Sequence, residues 1–170
     1  MEKAKSRALI TGSFDPVTRG HEDIIRRAAS MYDELYAVVF VSDTKKGFFP
    51  LEVRKKWLED TCRKFKNVKV DVDRGYVADY ARRGGMTAII RGVRDEKDFL
   101  YEKPMADYNL AHGGVETLLL YADEAYKDVS SSRVREILMQ SGDPKALLPD
   151  EIASDVCENW RIFHKECEND

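Results

Sequence analysis

The run from Gly12 to His21, Gly-Ser-Phe-Asp-Pro-Val-Thr-Arg-Gly-His, combines residue types that can hold a phosphate. It follows a short apolar stretch, Ala8-Leu9-Ile10, and leads into an amphipathic pattern that begins near Thr18. A Gly/Ser turn between a strand and a helix presents backbone N–H groups to an anion, with the positive end of the helix dipole behind them. His21 adds a side-chain donor in the first helical turn. A charged imidazolium is disfavoured there, so a neutral or ligand-facing ring is expected.

Three other stretches carry cations or hydroxyls: Ser42-Asp43-Thr44-Lys45-Lys46, Arg91-Gly92-Val93-Arg94, and Tyr126-Lys127-Asp128-Val129-Ser130-Ser131-Ser132. Lysine offers a point charge, arginine a fork of donors, and a helix start its free N–H groups; a polyphosphate needs all three. Singly, each has a plainer explanation. The lysine pair reads as solvated surface, Arg91 and Arg94 as partners of Asp95, Glu96 or Asp98, and the serines as helix-capping chemistry before Val134, Ile137 and Leu138. Counted from Ser132, Glu136 is one residue too far for a capping box.

Their positions along the chain favour a shared role. Candidate strands are Arg7–Thr11, Leu35–Val41, Val68–Val72, Thr87–Arg91 and Glu116–Tyr121, nearly continuous in apolar character, as buried parallel strands are. Helical patterns lie between them. Ile24, Ile25, Ala28, Ala29 and Tyr32 share one face; Leu51, Leu58, Cys62 and Phe65 form a stripe; and a short helix near Tyr76–Arg83 stops at Gly84-Gly85. Asp98–His112 reads as helical, with a kink or stop expected at Pro104. Ile152, Val156, Trp160 and Phe163 predict a C-terminal helix over about 150–165. This alternation predicts a Rossmann-like, doubly wound α/β domain with a five-stranded parallel sheet, one domain over 1–170 with its core at about 7–148. In such sheets ligands bind beyond the carboxyl ends of the strands, where all four stretches fall.

Composition narrows the partners. The chain has 170 residues, 43% hydrophobic and 35% charged, which suits a globular core and not disorder. A formal net charge of −3 argues against a nucleic-acid partner, though it leaves room for a small anionic ligand. No secretory leader is expected from the polar start, and no apolar run approaches the roughly 20 residues of a membrane span. Cys62, Cys157 and Cys167 lack metal-ligand spacing and read as reduced thiols of a cytoplasmic protein.

Thr18-Arg19-Gly20-His21 resembles the TxGH signature of the nucleotidyltransferase α/β-phosphodiesterase superfamily, and Val129-Ser130-Ser131-Ser132-Arg133-Val134-Arg135-Glu136 resembles its second, serine-rich signature. With Thr44-Lys45-Lys46, Leu51-Glu52-x-Arg54, Ile90-Arg91-Gly92-Val93-Arg94 and Asp98-Phe99-x-Tyr101-Glu102, the chain is similar to the bacterial phosphopantetheine adenylyltransferases from about residue 8 to about residue 150. The resemblance implies adenylyl transfer from ATP to 4′-phosphopantetheine, giving dephospho-coenzyme A and pyrophosphate. It leaves two alternatives: another phosphate acceptor, or a catalytically weak homologue that binds nucleotide or coenzyme A.

The same resemblance implies roles. His21, Lys45 and Arg94 would be catalytic. ATP would meet Ser13, Phe14, His21, Gly92, Val93, Arg94, Glu102 and the stretch Tyr126, Lys127, Asp128, Val129, Ser130, Ser131 and Ser132; the acceptor would meet Ser13, Lys45, Val77 and Arg91. Mg²⁺ is implied, held mainly through the ATP phosphates, as are coenzyme A and dephospho-coenzyme A as product-like ligands and a homohexamer. Departures from the family pattern fall at Pro104-Met105-Ala106, Tyr108-Asn109-Leu110, Gly113-Gly114, Tyr126–Val129 and the tail beyond residue 150. They spare the phosphate-binding residues.

Overall fold

Alternation of buried side chains builds the sheet. The computed structural model describes residues 5–41 and 46–167. In it, strands β1 (Arg7–Gly12), β2 (Glu34–Phe40), β3 (Val68–Asp73), β4 (Ala88–Val93) and β5 (Thr117–Tyr121) are parallel, in the order β3-β2-β1-β4-β5. On the central strands Ala8, Ile10, Ala37, Val39, Ala88 and Ile90 point into one apolar layer. Leu9, Val38 and Ile89 point into the other. A period of two with both phases apolar is what a strand covered on both faces requires.

Helices α1 (Arg19–Ala29), α2 (Leu51–Cys62), α5 (Ser131–Met139) and α6 (Ala153–Cys167) lie on the first layer, contributing Ile25, Trp57, Val134 and Val156, each fully buried. Helix α3 (Val77–Arg83) covers the second through Ala81, and α4 (Glu96–Gly113) packs beside it. The edge strands are only half-buried; β3 turns Lys69 and Asp71 to solvent, a common protection against edge pairing. Strand order reverses between β1 and β4, so the crevice of this fold opens beyond their carboxyl ends. Fold class and strand positions agree with the sequence reading, each strand boundary within two residues. Cys62 and Cys157 are free thiols, and burial pushes Cys62 up to about 12, so it stays protonated and inert. No described helix is long and apolar enough to cross a membrane.

Three local expectations are corrected. Helix α4 neither stops nor breaks at Pro104; it runs helical from Glu96 to Gly113. Pro104 is exposed, and the carbonyl it leaves without a helical donor belongs to Leu100, which is 62% exposed, so the lost bond falls on the solvent side of the helix. The helix ends instead at Gly114, at φ +66, whose N–H donates to the Leu110 carbonyl at 3.0 Å. Just before it, Gly113 lies so close to α3 that a Cβ would come within 2.9 Å of the Ala78 carbonyl oxygen. The serine cap is Ser130, not Ser132: its hydroxyl accepts from the Arg133 N–H at 3.1 Å, so the offset counted from Ser132 had no bearing on it. Finally, the last helix begins at Ala153, after a turn at 149–152.

Replacing Pro104 by alanine restores the missing donor in an exposed helix interior. Pro104→Ala is expected to stabilise the chain by about 1–2 kcal/mol, after allowing for the looser unfolded state. Calorimetry should then show Tm higher by roughly 3–6 °C; an unchanged or lower Tm would contradict the account of α4.

Candidate active site

The turn that leaves β1 is held from below by buried charge. Asp15 is 6% exposed, and its carboxylate accepts from the N–H groups of Phe48 at 2.6 Å and Phe49 at 2.9 Å. Arg54, equally buried on α2, brings its Nε to 3.9 Å from that carboxylate and donates from Nη1 to the Ser13 carbonyl at 2.9 Å. From α5, Arg135 donates to the Asp15 carbonyl at 2.6 Å. Phe14 sits between these anchors at φ +44, a left-handed conformation costly for a side-chain-bearing residue. Its ring is buried and meets the His21 ring edge-on, centroids 5.1 Å apart.

Helix α1 starts with an unusual capping box. The Thr18 hydroxyl accepts from the His21 N–H at 3.5 Å, and the Thr18 N–H donates back to His21 Nδ1 at 3.1 Å. Histidine thus takes the place usually filled by Glu or Gln. Because Nδ1 accepts a backbone proton, the ring's own proton is on Nε2. Burial, and then the charges of Arg91 and Arg94, lower the imidazole pKa from 6.5 to about 4. At neutral pH His21 is therefore an uncharged Nε2–H donor. This agrees with the neutral ring expected from the sequence.

The β4 side supplies fixed positive charge. Arg91 holds Glu102 with both arms, Nε to Oε2 at 2.9 Å and Nη2 to Oε1 at 2.6 Å, while Nη1 donates to the Thr11 carbonyl and hydroxyl. These bonds use four of its five N–H groups, so it is a braced charge and not a free clamp. Arg94 forms a matching fork on Asp98, at 2.8 and 3.0 Å, in a more exposed setting. Opposite them, the Ser131 hydroxyl donates to the Pro16 carbonyl at 2.8 Å and the Ser132 hydroxyl accepts from Arg135 at 3.1 Å. The Ser131 bond and the Arg135 bond to Asp15 tie α5 to the β1 turn, and the Ser131 and Ser132 N–H groups come before the capped Arg133 N–H at its N-terminus.

A cavity of about 460 Å³ lies between these walls. Of the residues singled out in the sequence, Ser13, His21, Arg91, Gly92, Arg94 and Glu102 line it, as do Tyr126, Val129 and the three serines. Glu102, 5% exposed, is committed to Arg91. Phe14 and Val93 are buried beside the cavity without lining it. Lys127 and Asp128 are exposed and outside it, Lys127 paired with Glu124. Val77 packs on the second apolar layer, away from the cavity. Lys45 lies outside the described residues. Sequence reasoning missed Thr11, Asp98 and Arg135 as lining residues and the Asp15–Arg54 pair beneath. Arg135 stood within the quoted serine signature; its distance from Ser132, one helical turn, was the available signal.

Residues 9–137 match the cytidylyltransferase-like family model. The phosphopantetheine adenylyltransferase of Streptomyces coelicolor is 39% identical over 155 residues, covering 91% of this chain and 98% of the relative. That of Shouchella clausii is 40% identical over 156 residues, with the same coverage. The chain belongs to the phosphopantetheine adenylyltransferase family. A lipopolysaccharide core biosynthesis protein of Thermoplasma volcanium superposes on 71% of this chain and 98% of its own at a TM-score of 0.52 and 18% identity, so the two share a fold. The family resemblance read from the motifs is thereby upheld over most of the chain, including the region that forms the cavity.

The low pKa of His21 has a signed consequence. Its folded-state value, about 4, lies below the unfolded value of 6.5. The neutral ring therefore contributes stability that is fully present above about pH 6.5 and is lost as pH falls toward 4. Histidine-selective NMR of the ligand-free protein should find His21 as the Nε2–H tautomer with a midpoint near pH 4. A midpoint near 6.5 would overturn the assignment.

Proposed function

We propose that the chain transfers the adenylyl group of ATP to 4′-phosphopantetheine, forming dephospho-coenzyme A and pyrophosphate. The observation that carries this reading is a neutral Nε2–H donor, His21, standing in a cavity walled by two braced arginines and a helix N-terminus. The family relatives named for this activity supply the acceptor.

The chemistry asks little of a general base. A phosphate monoester has a second pKa of about 6, so the acceptor is already mostly a dianion at neutral pH. One of its oxygens attacks the α-phosphorus, a P–O bond forms, the bond to the bridging oxygen of pyrophosphate breaks, and no proton need move. The protein's task is to align the two phosphates and to stabilise charge on the non-bridging oxygens. His21 donates from Nε2 to the α-phosphate without bringing a charge that would hold the product. Arg91 contributes its charge and a remaining Nη2–H toward the acceptor phosphate, and Glu102 braces it. Arg94 and the α5 N-terminus at Ser130–Ser132 receive the β- and γ-phosphates, with Arg94 exchanging Asp98 for phosphate. Ser13 and the Phe14 backbone line the reacting centre. Lys45 is assigned to the gap between acceptor and ATP, and Val77 to the pantetheine arm.

Magnesium fits this site as an ion carried by phosphate oxygens and water. The two carboxylates of the cavity, Asp98 and Glu102, are both engaged by arginines, and no cluster of three metal-type side chains occurs among the described residues. When bound, the ion supplies charge neutralisation of the polyphosphate. The protein is assigned to the cytoplasm, where its free thiols stay reduced. A homohexamer is proposed as well, supported by the exposed Phe99, Leu100, Tyr101, Tyr108 and Leu110 of α4 and Leu118 and Tyr121 of β5.

Two measurements test these assignments. Pyrophosphate release from ATP is expected only when phosphopantetheine is present, with kcat in His21→Ala lower by about 10²–10³-fold; a clear preference for CTP, or full activity in the variant, would sink the reading. Sedimentation equilibrium should give a mass six times that of the chain, and Leu100→Glu on the exposed face of α4 should lower it; a monomeric wild type would remove the proposed assembly.

A further inference from the structure

Beyond α5, the chain crosses behind the site and is tied to it at several points. Arg19, at the start of α1, donates to the Ala146 carbonyl at 3.2 Å and to Asp150 at 2.6 Å. Lys64 bridges Glu22 and Glu151. Asp155 accepts from the Trp57 indole at 2.8 Å and from Lys56 at 3.1 Å. One turn further along α6, Trp160 stacks on Phe48, with centroids 5.2 Å apart and ring planes within 16°. The cytidylyltransferase-like match ends at residue 137, so this whole strap lies beyond it.

Phe48 is the point where strap and site meet. Its N–H donates to the Asp15 carboxylate, its ring meets Phe49 edge-on at 5.0 Å, and the Arg135 guanidinium lies 5.8 Å from its ring centre. Arg135 lines the cavity, holds the Asp15 carbonyl and touches Ser132. Trp160 is thus two contacts from the cavity. It is not needed to attach α6, because Ile152 and Val156 are fully buried in the core and Asp155 makes its own bonds.

We propose that Trp160 is a positioning residue for the transfer reaction, setting through its stack on Phe48 the seat of the Phe48–Phe49 turn on Asp15 and so the placement of Ser13 and Arg135. The kinetic part rests on the function proposed above. Misplacement of a reacting group by about 1 Å can cost up to about 10²-fold in rate, so a small shift of this turn is enough.

The test uses the full chain with Trp160→Leu, which keeps apolar bulk, and Trp160→Phe, which keeps an aromatic stack. In Trp160→Leu, amide exchange at Phe48 and Phe49 should accelerate about tenfold with β1 and β4 amides unchanged, and kcat should fall about tenfold with KM for ATP within about threefold. Trp160→Phe should recover both to within about twofold. Unchanged exchange, unchanged kcat, acceleration spread over β1 and β4, or no recovery in Trp160→Phe would each overturn the proposal. Exchange needs no substrate, so a wild type inactive with phosphopantetheine would refute the acceptor assignment and leave the exchange result to decide the role of Trp160.

Discussion

A buried carboxylate must be answered, and in this protein the answer to Asp15 assembles the site. Taking an ion of this size out of water costs several kcal/mol unless charge and hydrogen bonds replace the solvent. Asp15 finds two backbone amides from the Phe48–Phe49 turn and a guanidinium from α2. Each partner arrives with further obligations. Arg54 takes the Ser13 carbonyl, and Arg135 takes the carbonyl of Asp15 itself. The turn after β1, which holds Phe14 at positive φ, is thereby fixed by elements distant in sequence. Gly47 belongs to the same knot: a Cβ there would come within 2.9 Å of Arg54 Nη2.

Above that foundation, the two β4-side arginines are paired before any ligand binds, while Arg135, bonded to the Asp15 carbonyl and the Ser132 hydroxyl, leaves the cavity lining with a net positive charge. Arg91 and Arg94 each carry a carboxylate in a forked geometry. The two pairs differ in exposure. The Arg91 and Glu102 side chains are 24% and 7% exposed, so breaking that pair would strand a buried charge. Those of Arg94 and Asp98 are 37% and 23% exposed, so exchanging one anion for another there costs much less. Rigid charge next to β1 and exchangeable charge at the rim suit a reaction in which one phosphate is held still while a pyrophosphate must leave. A neutral His21 fits the same logic, because a further permanent cation beside Arg91, Arg94 and Arg135 would strengthen product binding as much as transition-state binding.

Much of this arrangement was legible in the sequence. Strand-helix alternation placed all five strands, and three of the four polar stretches at strand ends line the cavity, residues 42–45 of the fourth lying outside the described residues. What escaped was long-range or inverted. An Asp before a Pro reads as a turn former, and nothing local connects Asp15 with amides more than thirty residues away. Pro104 read as a breaker because local rules do not know that the carbonyl it orphans faces water. His21 was suspected of being neutral, but the reciprocal bonds with Thr18 that fix its tautomer depend on the backbone angles of the cap, which spacing alone does not reveal.

Helix α4 was the hardest element to read, because its amphipathic pattern is set by the site and not by the core. It buries Glu102 and Asn109 while exposing Phe99, Leu100 and Tyr101. At one end its place is decided by the Arg91 fork; at the other by Gly113, whose missing side chain lets α4 touch the backbone of α3. Rotating the helix to hide its apolar residues would pull Glu102 from Arg91 and remove its brace. The helix therefore keeps Glu102 inward and leaves an apolar strip outward, which a single chain does not cover. Aromatic contacts continue that strip, Tyr108 stacking on His112 at 3.9 Å and approaching Tyr76 at 6.0 Å. In the proposed assembly a neighbour would cover this strip of α4 and would also stiffen the helix that carries Glu102. Assembly and the brace on Arg91 would then be coupled through the orientation of Glu102.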